Sequence, residues 1–424
     1  MSTALKTDRY ELTMLQAALR SGKSERRCVF EVFSRQLPAG RRYGVVAGTG
    51  RVLEALQEFK FETSELDFLS DNNVVDDATL NWLASYKFSG SITGYREGEI
   101  YFGQSPVLTV EGSFAEAVIL ETLILSIMNF DTAIASAAAR MRSAAGERRL
   151  IEMGSRRAHE DAAISAARAA VIAGFEATSN LEAGRRYGLN TMGTSAHAFT
   201  LLHDSEEEAF KAQLASMGDQ TTLLVDTYDV KKAVETAVRL TDGRIRAVRL
   251  DSGDLATSAV EVRKQLDSLG AEKTLITVTS DLDEFTIAAL AVAPIDAYGV
   301  GTSLVTGSGY PTAGFVYKLV SHSDGEGWTD VAKSSSKKTN RGGKKFAARQ
   351  IEHGTAKAEL IGVDLPEGRP LQIPLVNAGE VVDGFTGNDG VERAAQHNRQ
   401  VMSELPATAL RLSKGDAAIP VEFI

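Results

Sequence analysis

The sequence predicts an α/β protein: an irregular, TIM-like α/β barrel, together with an α+β sandwich-like domain built from both chain ends. Two observations lead to this fold class. After residue 148, short apolar runs alternate with helix-like spacers, which is the pattern of parallel βαβ units. Before residue 112 and after residue 314, short alternating runs are split by Gly and Pro, which is typical of antiparallel strands. At 424 residues the chain is also too long for one small core.

The pattern divides the chain into three segments. Residues 1–112 should form an N-terminal α+β domain, and residues 113–313 an α/β barrel catalytic domain. Residues 314–424, where β-like runs return, should pack with the N-terminal domain. These boundaries follow the places where the apolar period changes.

Within the N-terminal segment, residues 9–21 read as a helix because Leu12, Leu15 and Leu19 recur at helical spacing. Residues 28–34 read as a strand and residues 89–112 as a set of short strands. A long, alanine-rich helix should follow over residues 114–142.

The barrel segment contains seven candidate strands. In chain order they are Arg149–Met153, Phe175–Thr178, Leu189–Met192, Thr222–Val225, Ile245–Leu250, Leu275–Thr279 and Ile295–Tyr298. Repeated βα units imply parallel strands, and this number favours a barrel over an open sheet.

Composition narrows the functional class. The net charge of −10 argues against binding to nucleic acid or to anionic membranes in general. The only cysteine, Cys28, excludes an intrachain disulfide and a multi-cysteine zinc site, and fits a reducing cytoplasm. The N-terminal residues are charged where a signal peptide needs an apolar core. The apolar run 115–128 is too short to span a bilayer and indicates a buried helix.

Polar residues follow the candidate strands. The clusters are Gly154-Ser155-Arg156-Arg157, Ser179-Asn180, Gly193-Thr194-Ser195-Ala196-His197, Asp226, Asp251-Ser252-Gly253-Asp254, Ser280-Asp281 and Gly299-Val300-Gly301-Thr302, with Arg249 inside its strand. In a parallel barrel these ends converge on one face, where active sites form.

These residue types suit a phosphorylated sugar and a divalent cation. Carboxylates hold Mg²⁺ or ribose hydroxyls, glycine turns let backbone N–H groups approach phosphate, and paired arginines bind phosphate or carboxylate. Each type alone also has a structural interpretation. Asp226, Asp251 and Asp281 would serve equally well as helix N-caps. Arg156 and Arg157 would serve as solvated surface charges, and Gly299 and Gly301 as ordinary turn glycines. His197, taken alone, would be a hydrogen-bonded structural residue.

Eight motifs in order resemble the nicotinate phosphoribosyltransferase family. They are TDRYELTM at 7–14, GSRRA at 154–158, TSN at 178–180, MGTSAH at 192–197, VDTYD at 225–229, RLDSGDL at 249–255, GVGT at 299–302 and YKLV at 317–320. The resemblance implies a type II phosphoribosyltransferase fold. It implies that nicotinate and 5-phosphoribosyl 1-diphosphate are converted to nicotinate mononucleotide and diphosphate, coupled to ATP hydrolysis, in NAD biosynthesis or salvage.

The resemblance also implies a head-to-tail homodimer whose sites use both subunits. Matched position by position, it makes His197 the residue that ATP phosphorylates. Tyr10 would stack on the pyridine ring from the neighbouring subunit, and Thr194 and Arg249 would contact nicotinate. Thr302 would meet the phosphate of the phosphoribosyl group.

On this basis the expected catalytic residues are His197, Asp251 and Asp281, and Asp251 is the expected Mg²⁺ ligand. The expected substrate-binding residues are Tyr10, Thr194, Arg249, Thr302, Arg156, Arg157, Gly301 and Ser280. Mg²⁺ would be the cofactor and ATP a co-substrate.

Two positions depart from the family pattern. Met153 stands where an aromatic residue usually precedes the Gly-x-Arg-Arg element. Arg341-Gly342 stands where the basic loop usually has a Pro-Gly step, which leaves open which lysine of 333–345 meets a phosphate.

Three other functions compete with this interpretation. A sister enzyme acting on nicotinamide or quinolinate would have similar strand ends, although the Asp8-Arg9-Tyr10 segment and MGTSAH favour nicotinate. A catalytically dead barrel that only senses ligand would not need His197, Asp251 and Asp281 together. An aldolase or isomerase barrel would need a Schiff-base lysine or a catalytic glutamate at a strand end, and the sequence offers neither.

Overall fold

The structure is a computed structural model and describes residues 2–323, 325–333 and 341–424. Its contacts divide the chain into two compact units: residues 1–136 with 310–424, and residues 137–309. The chain-end unit therefore reaches further along the chain than the boundaries at 112 and 314 expected from the sequence. Strands and helices are numbered below in chain order.

The chain-end unit is mainly antiparallel β-structure. Its strands are β1 (Arg27–Ser34), β2 (Gly44–Val45), β3 (Ser91–Tyr95), β4 (Ile100–Tyr101), β5 (Leu108–Ser113), β12 (Phe315–Ser323), β13 (Trp328–Asp330), β14 (Phe346–Glu352), β15 (Thr355–Gly362), β16 (Arg369–Pro370), β17 (Gln372–Asn377), β18 (Glu380–Val381) and β19 (Val421–Phe423). Its helices are α1 (Arg9–Arg20), α2 (Thr49–Gln57), α3 (Thr63–Asp71), α4 (Asp77–Ala84), α5 (Phe114–Val118), the first part of α6 (Glu121–Ala145) and α15 (Gly387–Ser403).

Strands from both chain ends share one sheet, which confirms the expected sandwich-like domain. The seven-stranded sheet has the order β13-β12-β1-β5-β3-β17-β18, and a four-stranded sheet has the order β16-β14-β15-β19. In the first sheet Phe30 pairs with Leu319, and Gln372 pairs with Tyr95. The Phe30 and Tyr317 rings stack with centroids 4.8 Å apart, so residues distant in sequence build one core.

Buried ion pairs also join the two ends of the chain inside this unit. Arg349 Nη2 lies 3.0 Å from Glu359 Oε2, and the Tyr95 hydroxyl donates to Glu359 Oε1 over 2.7 Å. Arg349 Nη2 also lies 3.7 Å from Oε1 of the buried Glu99, and the partly exposed Arg369 lies with its Nη1 2.7 Å from Glu99 Oε2. Because buried charges are costly unless paired, these contacts fix where the C-terminal strands sit on the N-terminal ones.

The unit formed by residues 137–309 contains a sheet of six strands that is parallel throughout. The strands are β6 (Arg149–Glu152), β7 (Ala177–Thr178), β8 (Thr222–Leu224), β9 (Ala247–Leu250), β10 (Leu275–Val278) and β11 (Ala297–Val300). The helices are α7 (Glu160–Ile172), α8 (Leu181–Tyr187), α9 (His197–Leu202), α10 (Glu206–Met217), α11 (Val230–Thr241), α12 (Leu255–Ser268), α13 (Glu284–Ala289) and α14 (Thr302–Val305).

All neighbours in this sheet are parallel, with the order β7-β6-β11-β10-β9-β8. The expected strand Leu189–Met192 is reduced to one parallel bridge, between Thr191 and Thr178. From β8 to β11 the strands lie side by side in chain order, β11 then pairs with β6, and β6 pairs with β7. The strands therefore form an incomplete barrel that is open between the Thr191 bridge and β8. The prediction of an irregular α/β barrel is therefore confirmed.

The segment Phe114–Ala145 is long and apolar enough to cross a membrane by length and composition alone. However, 67% of its most apolar window is buried inside the protein, which is the pattern of a core helix. The apolar run 115–128 covers only part of this segment, and most of its residues are buried, as the sequence predicts.

Candidate active site

The carboxyl ends of the parallel strands surround one cavity of about 440 Å³, here called the strand-end cavity. Its lining comprises Met153, Ser155, Arg156, Arg157, Ser179, Met192, Gly193, Thr194, Ser195, Ala196, Arg249, Asp251, Thr279, Ser280, Asp281, Gly299, Gly301 and Thr302. The lining includes Thr194, Arg249, Asp251, Asp281, Thr302, Arg156, Arg157, Gly301 and Ser280, all of which the sequence proposed for the site. His197 begins α9 directly after the lining residue Ala196.

Three aspartates at the strand ends do not act as helix caps. The side chain that caps α11 is Asp229, the cap of α12 is Asp254 and the cap of α13 is Asp283. Each cap lies two or three residues after the strand-end aspartate that precedes it. Asp226, Asp251 and Asp281 are thus free of the role that the sequence left open for them.

His197 lies beside two of these aspartates. Its Nε2 is 3.9 Å from Asp226 Oδ1 and 3.8 Å from Asp251 Oδ2, while its Nδ1 is 3.1 Å from Thr227 Oγ1. The imidazole is partly exposed, with 39% of its side-chain surface accessible. Carboxylates therefore face one ring nitrogen, and a hydroxyl faces the other.

The two aspartates are themselves held by short contacts. Asp226 Oδ2 accepts from the Asp251 N–H over 2.9 Å and from Ser252 Oγ over 2.6 Å. The Thr279 hydroxyl donates to Asp251 Oδ1. Asp226 Oδ1 is buried and has no hydrogen-bond partner among the described residues, so the oxygen that faces His197 remains available to a proton donor.

Arg249 is a cavity-lining cation whose contacts would allow it to bind a carboxylate. Its Nη1 donates to Thr194 Oγ1 over 3.1 Å, and its buried Nε has no hydrogen-bond partner in the described ranges. Burial lowers the pKa of Arg249, although Asp251 and Asp226 oppose the shift. A half-buried guanidinium with a spare donor gains strongly from a planar carboxylate ligand.

Gly299, inside β11, and Gly154, after β6, lie where neighbouring atoms leave no room for a Cβ. A Cβ on Gly299 would lie 2.6 Å from Thr279 Cγ2 and 2.7 Å from Met153 Sδ. A Cβ on Gly154 would lie 2.2 Å from Val305 Cγ1. Close packing around the cavity therefore favours glycine at these two positions, whereas a Cβ on Gly301 would come no closer than 3.3 Å to a neighbouring atom, the Met153 carbonyl oxygen.

Ser280 has a backbone angle φ of +148°, which is unusual for a residue with a side chain. Such conformations cost about 1–3 kcal/mol and concentrate at functional sites. Ser280 and the exposed Asp281 lie two and three residues after the end of β10, and both line the cavity.

The carboxylates fit a magnesium ion only if substrate shares in holding it. The described ranges contain no group of three or more His, Cys, Asp or Glu side chains placed to hold a metal ion. Mg²⁺ commonly binds one or two carboxylates and completes its shell with phosphate oxygens and water. Asp251 fits this role because it lines the cavity and Thr279 occupies only its Oδ1, while Oδ2 lies 3.8 Å from His197 Nε2.

Tyr10 lies in the chain-end unit, near the start of α1, and is 45% exposed. Partial burial and the carboxylates Glu121 and Glu11 raise the pKa of Tyr10, so its hydroxyl stays protonated. Two lysines of the basic loop are held in the same unit. Lys344 Nζ is 3.1 Å from Glu111 Oε2, and the buried Lys345 Nζ is 2.7 Å from Glu31 Oε2. Lys337 and Lys338 lie outside the described residues.

Several residues near the site were not among those proposed from the sequence. Asp226 and Thr227 lie beside His197, and Thr279 contacts Asp251. Glu152 accepts from the N–H of Gly154, just before Arg156 and Arg157, and Glu206 begins α10. The sequence pattern places Asp226 at a strand end but assigns it no individual role. A second aspartate three residues later, Asp229, caps α11. Its presence in the sequence is the signal that could have distinguished a site residue at Asp226 from a helix cap.

Comparison with known proteins gives consistent matches. Residues 5–129 match the family model described as nicotinate phosphoribosyltransferase (NAPRTase) N-terminal domain, and residues 148–359 match the nicotinate phosphoribosyltransferase (NAPRTase) family model. The chain is 54% identical to nicotinate phosphoribosyltransferase pncB1 of Mycobacterium tuberculosis, over 99% of this chain and 95% of that protein. It is 39% identical to nicotinate phosphoribosyltransferase of Bacillus subtilis, over 84% and 75% of the two chains.

Solved structures match the fold. The crystal structure of human nicotinic acid phosphoribosyltransferase superposes with a TM-score of 0.82 at 24% identity, covering 98% of this chain and 97% of that one. Nicotinate-nucleotide pyrophosphorylase from Pyrococcus furiosus gives a TM-score of 0.75 at 24% identity, with 93% and 95% coverage. These two structures match the chain similarly well but carry different enzyme names. The structural likeness therefore supports the architecture and not the choice of substrate.

Proposed function

This chain belongs to the nicotinate phosphoribosyltransferase family, and from that premise we propose that it converts nicotinate and 5-phosphoribosyl 1-diphosphate to nicotinate mononucleotide and diphosphate. We propose further that ATP hydrolysis drives the transfer through a phosphohistidine. The observation that carries the proposal is the strand-end cavity, which is lined by Arg249, by the pair Arg156 and Arg157, and by Asp251, whose Oδ2 lies 3.8 Å from His197 Nε2.

Nicotinate would bind through its carboxylate. The spare Nε donor of Arg249 and the Thr194 hydroxyl, already 3.1 Å from Arg249 Nη1, form a polar end for the ring. The neutral amide of nicotinamide would gain much less from a guanidinium than a carboxylate does. Tyr10 of the partner subunit would pack on the face of the pyridine.

The phosphoribosyl donor would bind through backbone groups and the arginine pair. Arg156, Arg157 and the Ser280 hydroxyl supply donors, and Gly301 and Thr302 let the backbone approach a phosphate closely. Asp251 would hold Mg²⁺ together with the diphosphate, and Asp281 would face the ribose hydroxyls. Mg²⁺, when bound, supplies positive charge that stabilises the leaving diphosphate.

The transfer itself needs little acid–base chemistry from the protein. The pyridine nitrogen has a free lone pair that forms the bond to C1 of the ribose, and the C1–O bond to diphosphate breaks. C1 gains positive charge as diphosphate leaves, so the protein contributes by orienting the two reactants and by electrostatic stabilisation.

The phosphoryl acceptor would be Nδ1 of His197. Asp226 and Asp251 face Nε2 and can only accept, so they favour a proton on Nε2 and leave a lone pair on Nδ1. Thr227 Oγ1, 3.1 Å from Nδ1, would give up that contact when the lone pair attacks the γ-phosphate. The new N–P bond forms as the P–O bond to ADP breaks, and water later hydrolyses the N–P bond. The added negative charge would tighten the arginine-rich site for its substrates.

The proposed assembly rests on the same family premise, and the proposed location rests on the cysteine content. We propose a homodimer that shares residues across its two active sites. We propose a cytoplasmic location, because the only cysteine, Cys28, is free and buried, as suits a reducing compartment.

One coupled assay tests the proposed function. We expect product only when nicotinate and the donor are both present, and acceleration when ATP is added. Replacing nicotinate with nicotinamide or quinolinate should abolish most of the activity. Higher activity with either replacement would assign the chain to the sister reaction instead.

His197→Ala tests the ATP-coupled step in the same assay. We expect ATP hydrolysis to vanish, while slow transfer independent of ATP persists. His203→Ala provides the control, because His203 lies at the end of α9 and its Nδ1 contacts the Phe199 carbonyl. ATP hydrolysis that persists unchanged in His197→Ala would remove this imidazole from the mechanism.

A further inference from the structure

A buried carboxylate lies under the strand-end cavity without any role in the proposed function. Glu152 ends β6 and is fully buried. Burial raises the pKa of Glu152, although hydrogen bonds from Thr178 and Gly154 oppose the shift. A buried acid whose contacts here are all with uncharged donors is costly, so a well-defined role is expected for it.

The contacts of Glu152 join two strand ends. One carboxylate oxygen accepts from the Gly154 N–H, which opens the turn that follows β6. The other accepts from the Thr178 hydroxyl at the end of β7. The Glu152 main-chain carbonyl accepts from the Ser179 N–H over 2.8 Å. A single side chain therefore fixes the backbone of one cavity-lining turn and the last side chain of the neighbouring strand.

The contacts close into a ring. Thr178 Oγ1 accepts from the Asn180 N–H over 2.9 Å, and Asn180 Nδ2 donates to Ser155 Oγ over 3.0 Å. Ser155 follows Gly154 directly, which returns the ring to Glu152. Ser155 and Ser179 both line the cavity.

The ring controls where the arginine pair sits. Arg157 N–H donates to the Gly154 carbonyl over 2.8 Å and so closes the short helical turn Ser155–Arg157. Arg156 and Arg157 project from this turn into the cavity lining. Because Gly154 packs against Val305, the turn has little freedom to adjust by itself.

We propose that Glu152 is a positioning residue for the phosphoribosyl donor: through Gly154 and Thr178 it holds the arginine turn and the Ser179–Asn180 turn in one fixed relation. The inference rests on the proposed function, since it assigns the donor's phosphates to Arg156 and Arg157. Glu152 itself does not touch the substrates. It acts through the two turns, and nicotinate recognition at Arg249 is independent of it.

The contacts suggest matched variants. Thr178→Val keeps the shape but removes the hydroxyl that joins Glu152 to Asn180, whereas Thr178→Ser keeps the hydroxyl. Glu152→Gln keeps an acceptor for Gly154 but turns an amide N–H towards Thr178, whose hydroxyl then loses its acceptor. Glu176→Gln is a control, because Glu176 is half-exposed and pairs with Arg149 outside the ring.

Steady-state kinetics with each substrate varied in turn provide the test, with thermal unfolding recorded for every variant. We expect Glu152→Gln and Thr178→Val to lower kcat/KM for the donor by about 10- to 100-fold, since small displacements of binding groups have effects of this size. The KM for nicotinate should stay near the wild-type value. Thr178→Ser and Glu176→Gln should behave like the wild type.

A double-mutant cycle separates positioning from loss of stability. In a background where Arg156 and Arg157 are both alanine, Glu152→Gln should cause little further loss for the donor, because its effect passes through those side chains. Equal losses for nicotinate and the donor, or losses that follow the unfolding temperature, would overturn the proposal. A wild-type chain without transfer activity would instead overturn the proposed function.

Discussion

The three strand-end aspartates show how far the sequence alone can distinguish a site residue from a helix cap. Asp226, Asp251 and Asp281 occur in similar local sequences, and the sequence could not decide between ligand and helix cap. The structure assigns the caps to Asp229, Asp254 and Asp283. The sequence identified the strand ends because polar residues interrupt apolar runs there, but the choice of cap depends on backbone geometry.

Side-chain contacts between residues far apart in the chain could not be predicted from the sequence. Thr279 donates to Asp251, and Thr227 contacts His197, although these residues are about 30 positions from their partners. Glu152 was hidden for a different reason: a glutamate inside a short apolar strand carries no signal of the turns it will hold. Buried polar partners become visible only when the strands are placed side by side.

Arg249 carries the first prediction at residue scale. Arg249→Ala should raise the KM for nicotinate by about 10- to 100-fold, as expected for a lost hydrogen bond to a charged group. The KM for the donor should change much less, and nicotinamide should lose its disadvantage. Steady-state kinetics with both pyridines measures this, with Arg246→Ala as control, because Arg246 is exposed just before β9. An equal loss for nicotinate and the donor would contradict the selector role.

At the scale of elements, the sequence located the parallel strands to within a few residues but overestimated the strand Leu189–Met192. That segment makes one bridge, with the Thr178 N–H donating to the Asn190 carbonyl and the Met192 N–H to the Thr178 carbonyl. Its apolar residues look like a strand, but the ladder stops where the barrel is open. Propensity predicts that an element exists, whereas its length depends on its neighbours.

Helix α10 brings a further carboxylate towards the site. Glu206 is its first residue, and Glu206 Oε1 is buried with no hydrogen-bond partner among the described residues. Burial, together with Asp229 and Asp226, raises the pKa of Glu206 to about 7. The folded state therefore binds this proton more tightly than the unfolded chain does.

The pH dependence of stability follows from that shift. A raised folded-state pKa contributes stability that is complete below the ordinary pKa of Glu206, 4.5, and is lost as pH rises through about 7. Glu206→Gln removes this pH dependence. The free energy of unfolding of the variant, relative to that of the wild type, should therefore increase between pH 5 and pH 8. Urea unfolding at a series of pH values measures the difference, with Glu208→Gln in the same helical turn as control. A constant difference across this range would refute the assignment.

At the scale of the whole molecule, the sequence predicted that both chain ends build one domain, but not which strands meet. The pairing of β1 with β12 joins residues nearly 300 positions apart, for example Phe30 with Leu319. Repeated β-patterns show that a second sheet exists, yet many pairings would satisfy them. Ion pairs to buried carboxylates, such as Arg369 with Glu99 and Arg349 with Glu99, select one of those pairings, and their partners cannot be inferred from either segment alone.

The proposed dimer leads to a prediction about complementation between subunits. If Tyr10 of the partner subunit completes each site, then Tyr10→Ala and His197→Ala damage different subunits of the same site. A heterodimer of the two variants would contain one intact site and one doubly defective site. Co-expression with two affinity tags should therefore recover about half of the ATP-coupled activity of the wild-type dimer. If Tyr10 served the site of its own chain, both sites of the heterodimer would be defective, and its activity would not exceed the mean of the two parent variants.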